Sequence, residues 1–213
     1  MGPRTAGVAT TIYLLRHGEV VAAETRRFIG HLDVPLSERG ERQCLAQARA
    51  LAGTAIEAIF ASDLLRARRS AEIIAAPHAL QPTTIPALRE MAMGRWDGLT
   101  AEEIRLREPV AFADWMQGIG EFRFPEGESV SDLVDRAWPA FEAILAGHGG
   151  GMVAVVAHGG TNRALLCRAL GLPLARILAI GQDYGALTVL EQAAGAFTLK
   201  RLNEAAPLAA SRS

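Results

Sequence analysis

Three short apolar runs in this 213-residue chain end in the same way, and that shared ending constrains the fold more than any other feature. Tyr13-Leu14-Leu15 runs into Arg16-His17-Gly18-Glu19, Phe60-Ala61 into Ser62-Asp63-Leu64-Leu65-Arg66, and Val155-Val156-Ala157 into His158-Gly159-Gly160. Short runs without polar alternation suit strands covered on both faces, as in a parallel sheet. Helical patterns lie between them. Ser37 opens one with Cys44, Ala48 and Leu51 on one face and Gly53 as its stop, and Ser62 or Asp63 caps another carrying Leu64, Ala67, Ala71 and Ile74. Thr100-x-x-Glu103 is a capping box whose helix stops before Pro109. Ser129 starts a longer helix with Val130, Leu133, Ala137, Phe141, Ile144 and Leu145 on one side, and Pro139 is expected to kink it. Asn162–Leu170 reads as a helix closed by Gly171, and Ala186–Glu191 with Phe197–Arg201 as a hairpin turning at Gly195. The expected fold is α/β: a three-layer α/β/α sandwich with a mostly parallel central sheet and an antiparallel edge. One domain over 1–213 is expected, with flexible tails at about 1–9 and 203–213.

Composition excludes several classes of function. Half the residues are hydrophobic and the net charge is -1, which rules out a disordered chain. Twenty-two basic against 23 acidic residues leave no general field for nucleic acid, so no nucleic-acid partner is expected. Lys200 is the only lysine, so arginine carries nearly all the positive charge, and arginine is the better fork for phosphate or carboxylate. No apolar stretch resembles a targeting or membrane segment, and a cytoplasmic protein without membrane attachment is expected. Cys44 and Cys167 lie far apart in helical runs and read as packed, reduced thiols.

In an open parallel sheet, ligands bind beyond the carboxyl ends of the strands. If the three strands are neighbours, Arg16, His17, Arg66 and His158 surround one crevice, and the helix start at Gly159 adds backbone N–H groups. Two arginines and two histidines converging there make an anion site, with phosphate the obvious ligand. His31, His78 and His148 have no comparable setting and are assigned no function. His17 and His158 lack a third partner at zinc-ligand spacing, so no metal site is expected.

Arg16-His17-Gly18 after a buried strand resembles the signature of the histidine phosphatase superfamily, whose members are phosphoglycerate mutase-like. Four further blocks are similar to the family in its order: Phe28-x-Gly30-x-x-Asp33-x-Pro35-Leu36-Ser37, Ser62-Asp63-Leu64-x-Arg66-Ala67-x-x-Ser70-Ala71, Leu88-Arg89-Glu90-Met91-x-x-Gly94-x-Trp96-x-Gly98, and Pro125-x-Gly127-Glu128-Ser129 followed by Ala157-His158-Gly159-Gly160. The resemblance implies that His17 is a nucleophile that becomes phosphorylated. It implies that Arg16, Arg66 and His158 hold the phosphoryl oxygens, and that Glu90 is the general acid and then the general base. It implies no cofactor and no metal, because arginines supply the charge.

Two positions depart from the family. Val20 stands where many members have Thr or Ser, and Ala23 where many have a phosphate-contacting Asn; Thr25 or Glu24 are the candidates to compensate. Only 68 positions separate Glu90 from His158, which leaves little room for the long basic insertion of the mutases. The layout resembles compact phosphatases such as α-ribazole phosphatase. The expected function is therefore hydrolysis of a small phosphorylated metabolite. Phosphoglycerate mutase-type transfer, or a weakened member that only binds phosphorylated ligands, are the alternatives. Leu99–Glu128 is expected to line the mouth and set specificity, with Trp96, Phe112, Trp115 and Phe122 read as core. Nothing in the sequence marks an interface, and a homodimer stays open.

Overall fold

The computed structural model of the chain describes residues 8–208. Its sheet has six strands: β1 (Thr10–Arg16), β2 (Ala58–Ala61), β3 (Thr83–Thr84), β4 (Met152–Ala157), β5 (Leu187–Ala193) and β6 (Ala196–Glu204). They lie in the order β3-β2-β4-β1-β5-β6. The first four are mutually parallel, while β5 runs antiparallel to β1 and β6 antiparallel to β5. This is the mostly parallel sheet with an antiparallel edge that the strand pattern predicts. The hairpin turns at Ala194 and Gly195, both at positive φ, as a tight primed turn needs.

Side-chain alternation divides the core. Ile12 and Leu14 of β1, with Val153 and Val155 of β4, point to one face and pack against α5 (Val130–Gly147) and α6 (Gly159–Leu170). Tyr13, Leu15, Ala154 and Val156 point to the other face. There they meet residues of α1 (Glu38–Leu51) and α2 (Leu65–Ala75), such as Leu51, Ala71 and Ile74. Each central strand is therefore apolar on both faces because each face carries its own helix layer, which gives the α/β/α sandwich.

Local signals explain most boundaries. Ser37 caps α1 by accepting from Gly40 N, and Thr100 with Glu103 forms a complete capping box on α3 (Ala101–Arg107). Ser129 and Asp132 form another on α5. Pro139 lies inside α5 without ending it. Pro109, read as a stop, also opens α4 (Pro109–Gln117) at a position where a missing N–H costs nothing. Two expectations are corrected. Helix α2 is capped by neither Ser62 nor Asp63: Leu65 N donates to Asp33 Oδ1 at 2.6 Å, so the cap comes from a distant loop. Helix α6 starts at Gly159 rather than Asn162, since extended His158 already receives the first helical bond, from Asn162 N. Of the expected tails, 1–7 and 209–213 lie outside the described residues, while Asn203 and Glu204 belong to β6. Among the described residues, no helix is long and apolar enough to cross a membrane. Cys44 and Cys167 are buried and unpaired, as read.

Candidate active site

The order β2-β4-β1 makes neighbours of the three strands whose ends carry the polar residues. Arg16 is the last residue of β1 and His17 follows it; His158 directly follows β4; Arg66 sits in the first turn of α2, beyond β2. Fold register alone therefore gathers residues 16, 17, 66 and 158 at one edge of the sheet. The His17 and His158 rings meet edge to face, with centroids 5.1 Å apart. Arg16, His17, Arg66 and Glu90 line one cavity of about 290 Å³, whose mouth carries Arg26 and Arg27.

His17 is held in one tautomer. Its Nδ1 lies 2.7 Å from the carbonyl oxygen of Gly18, which can only accept, so Nδ1 carries the proton and Nε2 keeps its lone pair. The backbone around it is pinned as well. His17 N donates to Ala157 O, and Gly18 N donates to Ser70 Oγ, whose hydroxyl donates to Arg66 O. A Cβ on Gly18 would run into the Gly40 backbone, so only glycine lets the loop pass there.

Arg66 is buried and Arg16 half-buried, and each is held by backbone carbonyls. Arg66 is 1% exposed and donates to the carbonyls of Gly30 and Leu32, each at 2.7 Å, which fixes its plane. Arg16 donates to Gln182 O at 2.5 Å and lies 3.8 Å above the Tyr184 ring. Among the buried nitrogens without a partner in the described residues, three belong to Arg16 and His158: Arg16 Nε and both ring nitrogens of His158. An orphaned buried donor is costly, and Arg16 Nε, with the one N–H that a neutral His158 ring carries beside His17, suits a ligand rich in acceptor oxygens.

Burial pushes both imidazoles well below the ordinary histidine value, and the charges of Arg16 and Arg66 push the same way. Both rings are therefore neutral near pH 7. The linkage has a definite sign. The unfolded chain takes up protons at these histidines below about pH 6.5, while the folded chain refuses them, so stability falls as pH drops below that value. Each group contributes up to about 1.4 kcal/mol per pH unit. Urea unfolding is expected to give a lower midpoint at pH 5.5 than at pH 7.5, with a smaller difference in His158→Gln. An unchanged midpoint in the parent would contradict the burial described.

Glu90 comes from a loop, not a strand end, yet it reaches the same cavity. Its carboxyl accepts from Gly160 N at 2.9 Å, Thr161 N at 3.1 Å and Met91 N at 2.9 Å. Gly160 has to lack a side chain for Glu90 to sit here, because a Cβ there would clash with Glu90 Oε1. The loop is braced from behind. Arg136 donates to the carbonyls of Ala87, Arg89 and Glu90 while its guanidinium pairs doubly with Glu128. Glu128 in turn accepts from Ala92 N, and His31 Nε2 lies 2.7 Å from Glu90 O. His31, given no function from sequence, thus supports the Glu90 loop.

Every predicted side chain converges on the site; Gly159 lines an adjoining cavity beside Arg16 and Arg163. Sequence reasoning missed Tyr184, Gln182, Thr161, Arg163 and Arg136. No local pattern marks them, because the contacts that tie them to the site span long stretches of chain, as Gln182 with Arg16 and Arg136 with Glu90. Neither Glu24 nor Thr25 replaces the missing polar groups: Thr25 Oγ1 donates to Ala22 O, and neither residue lines the cavity. Val20 is buried and Ala23 lies in a short 3-10 turn.

Residues 12–205 match the model of the histidine phosphatase superfamily, branch 1, and the chain belongs to that superfamily as a phosphatase-class enzyme. Among its relatives is the protein named probable phosphoglycerate mutase GpmB from Serratia proteamaculans (strain 568), 36% identical over 167 residues, covering 76% of this chain and 75% of that one. The mycobacterial glucosyl-3-phosphoglycerate phosphatase in complex with VO3 superimposes with a TM-score of 0.82 at 31% identity, over 92% of this chain and 99% of that one. The α-ribazole phosphatase from Shigella flexneri has a TM-score of 0.85 at 23% identity, over 91% and 96%, a likeness of fold.

Proposed function

We propose that the protein is a phosphomonoesterase that hydrolyses a small phosphorylated metabolite through a phosphohistidine on His17. The observation that carries this reading is the fixed tautomer of His17 inside a cavity shared with Arg16, Arg66 and Glu90. Of the two facing imidazoles, only His17 has Nδ1 bonded to a carbonyl, which leaves Nε2 as a defined lone pair.

The reaction runs in two halves. Nε2 of His17 attacks phosphorus, the bond to the ester oxygen breaks, and Glu90 gives its proton to that oxygen as the alcohol leaves. The positive charge that develops on the ring is stabilised by the Nδ1–H bond to Gly18 O. Arg16, Arg66 and the single N–H of the neutral His158 ring hold the three equatorial oxygens. Water then attacks the phosphohistidine, Glu90 takes its proton, and phosphate departs with His17 neutral again. Phosphoglycerate mutase-type transfer is the second reading, favoured by the name of the Serratia relative and by the exposed Arg26 and Arg27 at the mouth.

The test is phosphate release from a panel of phosphomonoesters in the presence of a chelator, with alkaline quenching to preserve an acid-labile phosphoenzyme. Release with label recovered on His17 is the expected result. Interconversion of 3- and 2-phosphoglycerate outrunning release would favour the mutase. Binding of phosphate without turnover would leave the weakened, ligand-binding member.

A further inference from the structure

A second cavity of about 200 Å³ opens beside the first and is walled by Phe28, Met93, Trp115, Ile119 and Leu178. It shares Arg16, Phe28, Glu90 and Met93 with the cavity that holds His17. The shared members fix the geometry. In an in-line displacement the leaving oxygen lies opposite the attacking nitrogen and next to the acid, which here is Glu90. Glu90 lines both cavities, so the group attached to that oxygen has the second cavity as its adjacent space.

The walls select what enters. Trp115 stacks within an aromatic cluster, with its ring centroid 5.5 Å from Phe28 and 6.0 Å from Trp96. Trp96 is fully buried core, as the sequence reading has it, but Trp115 and Phe28 turn part of their rings to the cavity. Polar partners are confined to Arg16, Glu90 and Arg163 on one side and to the orphaned Trp115 Nε1, so most of the wall offers a polyol's hydroxyls nothing, whereas a planar apolar ring is matched by aromatic faces and a thioether. A dry apolar cavity of about 150 Å³ suffices for benzene, so the space fits one aromatic ring. Arg163, held by a bond from its Nε to Ile180 O, adds a cationic edge over which such a ring can lie.

We infer that this second cavity is the leaving-group subsite and that the preferred substrates are phosphate monoesters of alcohols carrying an aromatic ring. The inference rests on the phosphatase reading above. The experiment compares benzyl phosphate with ethyl phosphate, two alkyl esters whose alcohols are of like acidity, so that intrinsic reactivity does not decide the outcome. Benzyl phosphate is expected to have the higher kcat/KM, by roughly ten-fold or more. That ratio is expected to fall by roughly ten-fold in Trp115→Ala. Leu178 is 60% exposed, so Leu178→Asp puts a carboxylate at the wall without disturbing the core, and the ratio is expected to fall there too. Equal kcat/KM values for the two esters, or a ratio unmoved in both variants, overturn the subsite while leaving the phosphatase intact. Failure to release phosphate from either ester overturns the phosphatase reading, and the subsite with it.

Discussion

His17→Ala is expected to lower phosphate release by roughly 10⁴ to 10⁶-fold, the scale seen when a nucleophile is deleted from a catalytic set. The fold should survive. The substitution removes one neutral ring and its bond to Gly18 O, a loss of about 1–3 kcal/mol with the carbonyl left unpaired, and leaves the Ser70, Ala157 and Gly185 contacts in place. Phosphate or vanadate should still bind, because Arg16, Arg66 and His158 remain. Loss of turnover with retained binding therefore separates a nucleophile from a mere contact. Retained turnover would move the covalent step to another residue and remove the basis of the mechanism.

Glu90→Gln is expected to discriminate between substrates by the acidity of their leaving groups. An alkyl phosphate needs a proton on its departing oxygen, and loss of the acid should cost about 10² to 10⁴-fold. Nitrophenolate departs without a proton, so the first half of the reaction on 4-nitrophenyl phosphate should be far less impaired. The second half still lacks its base. Stopped-flow traces should then show a burst of nitrophenolate followed by a slow phase, with phosphoenzyme accumulating. Glutamine keeps one acceptor oxygen but turns an amide toward the N–H groups that Glu90 now engages, so a crystal structure or a thermal melt should accompany the kinetics. Equal losses in the phosphorylation step on the two substrates would deny Glu90 the role of proton donor.

The parts of the site that could be read from sequence are those that strand register delivers. Arg16, His17 and His158 directly end or follow apolar runs, and any parallel sheet that makes β1 and β4 neighbours must bring them together. Arg66 was legible for a related reason, as a first-turn residue beyond β2. Glu90 was not legible in that way. It stands in a loop, and its reach depends on a missing side chain at position 160, seventy residues onward. Motif resemblance supplied what periodicity could not. Tyr184 and Gln182 were illegible for the same reason in stronger form, since they meet Arg16 across more than 160 positions and sit in a polar loop with no pattern. The cap of α2 shows the limit at the level of secondary structure. Ser62 and Asp63 have the right chemistry in the right place, but Ser62 Oγ accepts from Leu64 N and Asp63 pairs with Arg89, which leaves Leu65 N to Asp33.

Part of the aromatic wall is built from a stretch of chain that the charged cradle does not use. The cradle rests on strand ends and on a loop clamped by Arg136, while much of the wall comes from Phe28 and from the segment holding Trp115 and Ile119. Rewriting that short segment would exchange one clientele for another without retooling the bond-breaking apparatus. A graft of roughly one helix and its flanking turn is thus a natural unit for redirecting this scaffold toward new esters.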